Sequence, residues 1–525
     1  MILSFCRVMR HLALRHGERE AIVNIERNRR FTFSEYHLLT NRIANALRLE
    51  LGLGAGDRFL LILENDNLTL LHFPTFLKQE ATAVMSNLRD SPEEHRRQVE
   101  YIQPKVVFIE NHLLETHLAM LQSAGCTVVA MDQLAAPIPG LLCFWDLIEK
   151  ASDADNDVAL DQHSHPILMR FTGSTTGLSK CAVYTPEVLS ACRDGALAHP
   201  ELELDAQTRL LHVAPLSHGT QLPMYATFFL GGANLTLNAL DLDAWREAVE
   251  AEAVTHSFLV PTALYRLLEL QLAHPRQLSS LRTLIYGAAP MSAAKLEALV
   301  GCFGSIFVQG YGSTEVFMIA SLLPKADHRV DDDTARKRLG SAGRVTPGVE
   351  IFIADDNGKE LPTGEIGEIR IRCGALAKGY YRNPEQTAAE FVDGAWRSGD
   401  LGYVDEGGYL FIVDRLKDMI ISGGFNVYAV EVETALASHP AVMMSAVVGI
   451  PHEEWGEAVH AEVILRPGAS ATPDELIAHA KNQLGGYKAP KTIALVSNLP
   501  LSSVGKVLRR EVRDRYWAGR SRGIN

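Results

Sequence analysis

The stretch Phe171-Thr172-Gly173-Ser174-Thr175-Thr176-Gly177-Leu178-Ser179-Lys180 combines two glycines, several hydroxyl side chains and one lysine. Small residues let a backbone wrap closely around an oxyanion, hydroxyl and N–H groups donate hydrogen bonds to it, and the lysine adds positive charge. The composition favours a phosphate-binding loop, although an ordinary solvated loop has the same residues. The stretch is not a Walker A loop, because Lys180 is neither preceded by glycine nor followed by serine or threonine.

Short apolar runs lie on both sides of this loop and alternate with amphipathic helical segments. Strands are predicted at 58–63, 105–109, 127–131, 166–171, 210–214, 255–260, 281–286 and 305–309, and helices at 242–253, 262–270 and 292–303. The alternation predicts doubly wound sheets covered by helices. Ligands bind beyond the carboxyl ends of strands in such folds, so the turns 287–290 and 310–315 are expected to face one cleft.

The C-terminal part of the chain has a different residue composition and hydrophobic pattern. From residue 340 onward the sequence is β-rich and punctuated by glycine, which predicts a β-rich subdomain over about 340–414. Residues 415–525 predict a small α+β domain that contains a helix at 473–484, with Thr472 as its N-cap. We therefore expect an N-terminal domain over 1–414 and a C-terminal domain over 415–525.

Size and composition exclude several classes of protein. The 525 residues, 47% of them hydrophobic, are too many for one core, so several domains are expected. The net charge of -13 argues against a nucleic-acid partner, which would need a basic face. Seven cysteines without a CxxC pair argue against a disulfide framework or zinc site and favour the cytoplasm. No signal peptide is recognised, and no apolar run reaches the ~18 residues of a membrane span.

Seven segments, in order, resemble the adenylate-forming superfamily, which includes acyl-CoA synthetases (AMP-dependent CoA ligases), luciferases and nonribosomal adenylation domains. They are residues 171–180, 286–290, 311–315, 396–400, 414–418, 422–425 and 501–507. The resemblance implies a two-step ligase with ATP and Mg²⁺ as cofactors and CoA as co-substrate. A carboxylate attacks the α-phosphate of ATP, and a thiol then displaces AMP. It also implies a large adenylation domain and a small mobile C-terminal domain.

The resemblance assigns roles to individual positions. The ATP phosphates would be held by Thr172, Gly173, Ser174, Thr175, Thr176, Gly177 and Lys180. Adenine would lie between the turn of Gly287, Ala288 and Ala289 and the ring of Tyr311. Thr314 would donate to the α-phosphate, Glu315 would bind Mg²⁺, and Asp400 with Arg415 would hold the ribose. Lys506 would contact both carboxylate and phosphate, and His218 would lie near the substrate carboxylate.

The second half-reaction and the acyl pocket are assigned in the same way. Lys417 would be the hinge, Gly424 would line a tunnel for the pantetheine thiol, and Trp455 and Lys488 would contact CoA. The pocket walls would be small or apolar residues, which favour a fatty, alicyclic or aryl acid: Gly219, Gly310, Gly312, Phe317 and Met318. Outside this context each residue has an ordinary structural explanation, such as a turn for Asp400 or a core hydrogen bond for His218.

Two alternatives stay open at this point. An acyl-AMP ligase that loads an acyl carrier protein would share every adenylation residue, and a non-catalytic adenylate-binding homologue would keep the fold. The loop departs from the family pattern, because Gly173 and Ser174 exchange the usual order and Ser179 replaces a usual proline. His256-Ser257-Phe258 lacks the acidic residue that would favour an amino acid substrate. The expected partner is a small carboxylic acid, and a homodimer is left open.

Overall fold

The computed structural model describes residues 2–156, 158–172, 180–289, 291–502 and 506–518. It is a mixed α/β protein with a large N-terminal domain built around parallel sheets and a small C-terminal domain. The predicted fold class is confirmed.

The first sheet of the large domain carries the glycine-rich loop at its edge. Within the described residues its seven strands are, in order across the sheet, Cys181–Tyr184, Leu168–Phe171, Thr82–Met85, Arg58–Ile62, Val106–Ile109, Thr127–Ala130 and Leu141–Cys143. Neighbouring strands are parallel except for the first pair, which forms an antiparallel hairpin around residues 172–180. The central strands are buried, as continuous apolar runs in a covered parallel sheet should be.

The second sheet brings the adenine-side turns together. Its nine described strands are, in order, Arg344–Val345, Ser321–Leu323, Phe307–Tyr311, Thr283–Gly287, His256–Leu259, Arg209–His212, Ala233–Thr236, Glu20–Asn24 and Arg29–Thr32. The middle strands are parallel and both ends are closed by antiparallel pairs. Gly287 pairs with Gly310 at the carboxyl ends of neighbouring strands. The two turns therefore start side by side, as the sequence predicted.

Two smaller sheets complete the fold. The β-rich subdomain contains Glu350–Ala354, Gly367–Arg372, Phe391–Val392, Ala395–Val404 and Leu410–Arg415, all in antiparallel pairs. The C-terminal sheet contains Ile420–Ser422, Phe425–Val427, Val442–His452, Gly456–Leu465 and Thr492–Leu495. A further two-stranded pair joins Ile2–Leu3 to Leu160–Asp161.

The α-helices cover these sheets and begin at recognisable signals. Thr32 and Thr472 each form a capping box at the start of a helix, and the predicted helix 473–484 is observed with those bounds. The helices of the described chain are Phe5–His16, Phe33–Asn45, Asn65–Leu68, Phe73–Phe76, Pro92–Ile102, Leu114–Ser123, Phe144–Lys150, Pro186–Leu197, Leu222–Leu230, Leu242–Ala251, Pro261–Ala273, Ala293–Phe303, Asp333–Arg338, Pro384–Glu390, Ala429–Ala437, Pro473–Leu484 and Arg509–Tyr516.

Candidate active site

The two ends of the glycine-rich loop are held together at the edge of the first sheet. The N–H of Thr172 donates to the carbonyl oxygen of Lys180 at 2.7 Å, which extends the hairpin by one pair. The predicted phosphate ligands Gly173, Ser174, Thr175, Thr176 and Gly177 lie outside the described residues, and their assignment stays a prediction.

Lys180 ends this loop in an ion pair that the sequence did not predict. Its ammonium contacts the carboxylate of Glu390 and lies 4.9 Å from the ring centroid of Tyr380. The hydroxyl of Tyr380 lies within hydrogen-bond distance of two carboxylates, Glu390 and Glu315, with 2.9 Å to Glu315 Oε1. These four side chains are called the carboxylate cluster below. They bring the predicted phosphate lysine and the predicted metal ligand into one network.

Burial shapes the electrostatics of this cluster. Burial raises the pKa of Glu315, and the hydrogen bond from Tyr380 and the charge of Lys180 offset only part of this effect. For Glu390, burial also favours the neutral form, but hydrogen bonds from Lys180 and Tyr380 outweigh it and lower the pKa. Glu315 thus remains a hard oxygen donor whose charge is incompletely compensated, which suits Mg²⁺.

The turn predicted to flank adenine is narrow and conformationally unusual. A Cβ atom on Gly287 would lie 2.1 Å from the carbonyl oxygen of Gly310, so only glycine fits between these strands. Ala288 has φ 66°, in the left-handed region that alanine rarely adopts. Such strain concentrates at functional sites, although by itself it identifies no ligand.

Tyr311 and Asp400 lie together although they are far apart in sequence. The Tyr311 hydroxyl donates to Asp400 Oδ2 at 2.7 Å, and Arg415 Nε donates to Oδ1 at 3.2 Å. Asp400 is buried, whereas the side chain of Arg415 is largely exposed. The three residues predicted to contact adenosine therefore form one group.

The segment after Tyr311 packs tightly against the pocket walls. A Cβ on Gly312 would lie 2.4 Å from the carbonyl oxygen of Met318. The carbonyl oxygen of Thr314 accepts a hydrogen bond from the Tyr184 hydroxyl at 2.7 Å. Phe317 and Met318 are buried, while Gly219 faces open space. Gly310 is close to Ile319.

His218 is subject to the charges of three cationic side chains, Arg170, Lys506 and Arg89. Burial, followed by the charges of Arg170 and Lys506, lowers its pKa to about 3. Its Nδ1 atom is 3.1 Å from the hydroxyl oxygen of Ser217. His218 is therefore neutral at physiological pH and cannot act as a fixed positive charge.

Lys506 reaches this site from the C-terminal domain. Its backbone is held in a turn, because Ser502 and Lys506 exchange hydrogen bonds of 2.7 and 3.1 Å. Burial and the charge of Arg415 lower its pKa to about 8, while Asp400 acts in the opposite direction. Lys506 forms no ion pair with any carboxylate in the described parts of the chain.

Contacts between the two domains hold this arrangement. The ammonium of Lys295, on the helix Ala293–Phe303, donates to the carbonyl oxygen of Val442 at 2.9 Å. Arg466 forms an ion pair of 3.3 Å with Glu269 on the helix Pro261–Ala273. Lys417 lies in the connection between the strand Leu410–Arg415 and the strand Ile420–Ser422, which belong to different sheets.

The predicted CoA-side residues form a separate group on the small domain. Gly423 and Gly424, with φ of 59° and 81°, make the turn between the strands Ile420–Ser422 and Phe425–Val427. A Cβ on Gly423 would lie 3.6 Å from the ring of Trp455, which stacks on His452. Lys488 is paired with Glu431 at 2.6 Å. Positive φ at both positions is enough to explain the two glycines locally.

Three further observations concern cavities, metal-binding clusters and membrane-spanning helices in the described chain. A cavity of about 400 Å³ is lined by residues including Asp333, Arg338 and Tyr409, none of which belongs to the predicted site. Among the described residues, no group of three or more His, Cys, Asp and Glu side chains is arranged to hold a metal ion. In the same part of the chain, no helix is long and apolar enough to cross a membrane.

Comparison with known families agrees with this geometry. Residues 9–381 match the family described as AMP-binding enzyme, and residues 431–506 match the AMP-binding enzyme C-terminal domain. The chain belongs to this family. The first match includes Lys180, Tyr311 and Glu315, the second ends at Lys506, and together they place the chain in the adenylate-forming superfamily that its motifs resemble.

Relatives within the AMP-binding family act on different acids and acceptors. The chain is 39% identical over 363 residues to a medium/long-chain-fatty-acid–CoA ligase, FadD8 of Mycobacterium tuberculosis, covering 68% of this chain and 62% of that protein. It is 33% identical to the fatty acid–[acyl-carrier-protein] ligase ScoC of Streptomyces coeruleorubidus, covering 95% and 94%. The ATP-bound structure of MatB from Rhodopseudomonas palustris matches with a TM-score of 0.84 and 28% identity, covering 97% and 99%.

Sequence reasoning missed three side chains at this site. Tyr380 and Glu390 complete the carboxylate cluster, but their separation of about 200 residues from Lys180 left no local signal. Arg170 did leave one, since it is a charged residue inside an apolar run that predicts a buried strand.

Proposed function

We propose that this AMP-binding family member is an ATP- and Mg²⁺-dependent acid–thiol ligase. It adenylates a carboxylic acid whose body is apolar (fatty, alicyclic or aryl) and transfers the acyl group to CoA. In the first step a carboxylate oxygen bonds to the α-phosphorus of ATP and pyrophosphate leaves. In the second step the thiol sulfur bonds to the acyl carbon, AMP leaves, and the thiol proton passes to solvent.

The observation that carries this proposal is the position of Lys506. A cation without a carboxylate partner among the described residues reaches from the small domain to His218, Asp400 and Arg415. Two anions, a carboxylate and ATP, must approach each other in the first step, and a buried ammonium stabilises the charge that develops between them. Lys506 has the charge and the location for this role.

Each of the remaining predicted residues would bind either the nucleotide or the metal ion. Asp400 and Arg415 would bind the ribose, Tyr311 would stack on adenine, and Lys180 would exchange Glu390 for a phosphate. Mg²⁺ would be held by Glu315 and by the phosphates themselves, because Mg²⁺ in such sites takes few protein ligands. When bound, it supplies charge compensation at the phosphates.

The CoA half-reaction rests on the group around Gly424. We propose that the C-terminal domain, beginning after Asp414, rotates about Lys417 and brings Gly424, Trp455 and Lys488 to the acyl-adenylate. Gly424→Asn tests this proposal, since asparagine tolerates positive φ but adds a side chain. Thioester formation should fall while pyrophosphate release persists. Gly423→Asn, which changes the neighbouring turn position, is the matched control.

The acceptor thiol is the main alternative. ScoC, a fatty acid–[acyl-carrier-protein] ligase, matches 95% of this chain, so a carrier-loading ligase is the second candidate. Incubation of the enzyme with ATP, an acid panel and either CoA or a phosphopantetheine-bearing carrier protein separates them. AMP release that depends on the carrier and ignores CoA would overturn the CoA proposal. Absence of pyrophosphate release with every acid of the panel would favour the non-catalytic homologue.

A further inference from the structure

Arg170 is a buried charge without a counter-ion among the residues that the structure describes. It lies on the strand Leu168–Phe171, is 2% exposed, and an arginine stays protonated in proteins. Its Nε and Nη2 atoms donate to the carbonyl oxygen of Ser217 at 2.9 and 2.6 Å, and its guanidinium lies 5.2 Å from the ring centroid of Phe317. No carboxylate in the described chain forms an ion pair with it. A carbonyl and a ring face carry only partial negative charge, so the buried cation is incompletely compensated.

Hydrogen-bond donors that have no partner in the described part of the chain lie in the same region. Nη1 of Arg170 makes no hydrogen bond to the described residues, and Nη2 has a second N–H besides the one directed at Ser217. The side chain of Gln221 is fully buried, and its Nε2 atom has no partner among those residues. Its Oε1 atom accepts from Tyr225, whose ring is 6.1 Å from Phe317. Buried donors of this kind favour an acceptor supplied by a ligand.

Arg170 lies beside the segment that carries His218. Ser217, which Arg170 contacts, directly precedes His218. The charges of both Arg170 and Lys506 act on His218, whereas the charges acting on Lys506 are those of Arg415 and Asp400. Arg170 also packs on Phe317, a predicted wall of the acyl pocket, so both of its contacts adjoin the predicted acyl site. An acid whose reacting carboxylate is at Lys506 would direct its far end toward Arg170.

We infer that Arg170 determines specificity by binding a second anionic group, such as a carboxylate, on the acyl part of the substrate. This inference rests on the proposed function and names the class of acid: an apolar body with an anionic substituent. The free edge of a guanidinium binds a carboxylate through two parallel hydrogen bonds, and Phe317 holds the plane of Arg170 in position. An unsubstituted acid would leave the buried charge unpaired.

The kinetic test compares matched acids that differ in one group. Hexanoic acid is paired with hexanedioic acid, octanoic with octanedioic, and 3-phenylpropanoic with 3-(4-carboxyphenyl)propanoic acid, each assayed by pyrophosphate release. We expect kcat/KM to favour one of the substituted acids by about 100-fold, and Arg170→Met to remove that preference. Arg170→Lys, which keeps the charge but loses the planar fork, should retain a preference of about tenfold.

A binding test does not depend on turnover. Acyl-sulfamoyl-adenosine analogues carrying a hexanoyl or a 5-carboxypentanoyl group are titrated against the full-length protein by calorimetry. The carboxylated analogue should bind more tightly to the wild type, and Arg170→Met should reverse the order. Arg246→Met is the matched control, because Arg246 is equally buried at 2% but already pairs with Asp243. All variants are first checked for folding by thermal unfolding.

The outcomes separate this inference from the proposed function. Turnover of unsubstituted acids with equal or better kcat/KM, or an equal loss of both acids in Arg170→Met, overturns the role of Arg170 and leaves the ligase intact. A raised KM for ATP with an unchanged ratio between acids would instead assign Arg170 to the nucleotide. If no acid supports pyrophosphate release, the proposed function fails, and the analogue titration still decides whether Arg170 binds an anion.

Discussion

The two lysines of the candidate site, Lys180 and Lys506, differ in whether their charge is already paired with a carboxylate. Lys180, at the edge of the large domain, is already paired with Glu390 and covered by the ring of Tyr380. Lys506, from the small domain, reaches the site without an ion pair to any described carboxylate. The large domain thus neutralises the charge of Lys180 internally, while the small domain contributes a lysine that no described carboxylate pairs with.

Removal of Lys506 is expected to have the largest effect. Lys506→Ala should lower the rate of adenylation by about 10³-fold, because a preorganised donor at developing charge contributes most in a buried site. Pyrophosphate release in the presence of saturating ATP and acid is the measurement. Thioester formation from supplied acyl-adenylate should remain, since that step does not join two anions.

The control for this variant is Lys481→Ala, which removes an exposed lysine from the helix Pro473–Leu484 of the same domain. It should alter neither half-reaction. Equal loss of both half-reactions in Lys506→Ala would show that the lysine holds the domain rather than the reactants, and the contrast with Lys180 would then lose its meaning.

The pH dependence of adenylation should report the unpaired lysine. The pKa of Lys506 is lowered to about 8, so the lysine is mostly charged well below pH 8, half charged near that pH and uncharged as the pH rises further. We expect kcat/KM for pyrophosphate release to fall about tenfold for each further pH unit. The residual activity of Lys506→Arg should lack this limb, because arginine stays charged.

The acidic side of the pH profile of adenylation checks the protonation state of His218 independently. Since the pKa of His218 is lowered to about 3, this residue stays neutral between pH 5 and 9 and should contribute no limb there. A limb near pH 6 that disappears in His218→Ala would contradict the conclusion that burial and the charges of Arg170 and Lys506 keep His218 neutral.

Some features of the fold and the site could be predicted from the sequence and others could not, because some depend on local signals and others on long-range packing. The helix Pro473–Leu484 follows from local signals, a capping threonine and a proline in the first turn, and its bounds were predicted correctly. The neighbouring position of Gly287 and Gly310 follows from parallel strand order. The carboxylate cluster could not be predicted, because Lys180 and Glu390 meet only through packing of three separate segments.

Arg170 illustrates a different limit. Its strand was predicted from an apolar run, and no separate prediction was made for the charge inside that run. Only the structure shows that no described carboxylate approaches it and that its contacts are a carbonyl and a ring. Hydropathy patterns record how many charges a strand carries, whereas the position of a counter-ion depends on residues distant in sequence.

Release of Lys180 from its partner should have a moderate effect. Glu390→Gln removes the carboxylate that Lys180 must leave before it can bind a phosphate, and it removes a negative charge near the ATP phosphates. We expect the KM for ATP to fall about fivefold, as befits a partly exposed ion pair. The requirement for Mg²⁺ should change little, because Glu315 keeps its hydrogen bond with Tyr380.

A rise in the KM for ATP in Glu390→Gln would contradict the idea that Glu390 competes with phosphate for Lys180. It would show instead that Glu390 positions Lys180 for the nucleotide. Glu315→Gln is the companion variant, since it changes the other carboxylate that contacts Tyr380. It should raise the Mg²⁺ concentration needed for half-maximal activity about tenfold. Together the two variants separate the lysine partner from the metal ligand.

The ion pair between Arg466 and Glu269 should have the smallest effect, because it lies at the surface and joins the domains only in the observed arrangement. Arg466→Met removes it and should slow adenylation about twofold relative to thioester formation. Arg276→Met is the matched control: its side chain is 31% exposed, as is that of Arg466, but its partners Glu247 and Glu250 belong to the same domain. If both variants shift the ratio of the half-reactions equally, the contact does not favour the pose that brings Lys506 to the site. If the ratio of the half-reactions shifts only in Arg466→Met, contacts far from the site help to hold Lys506 there.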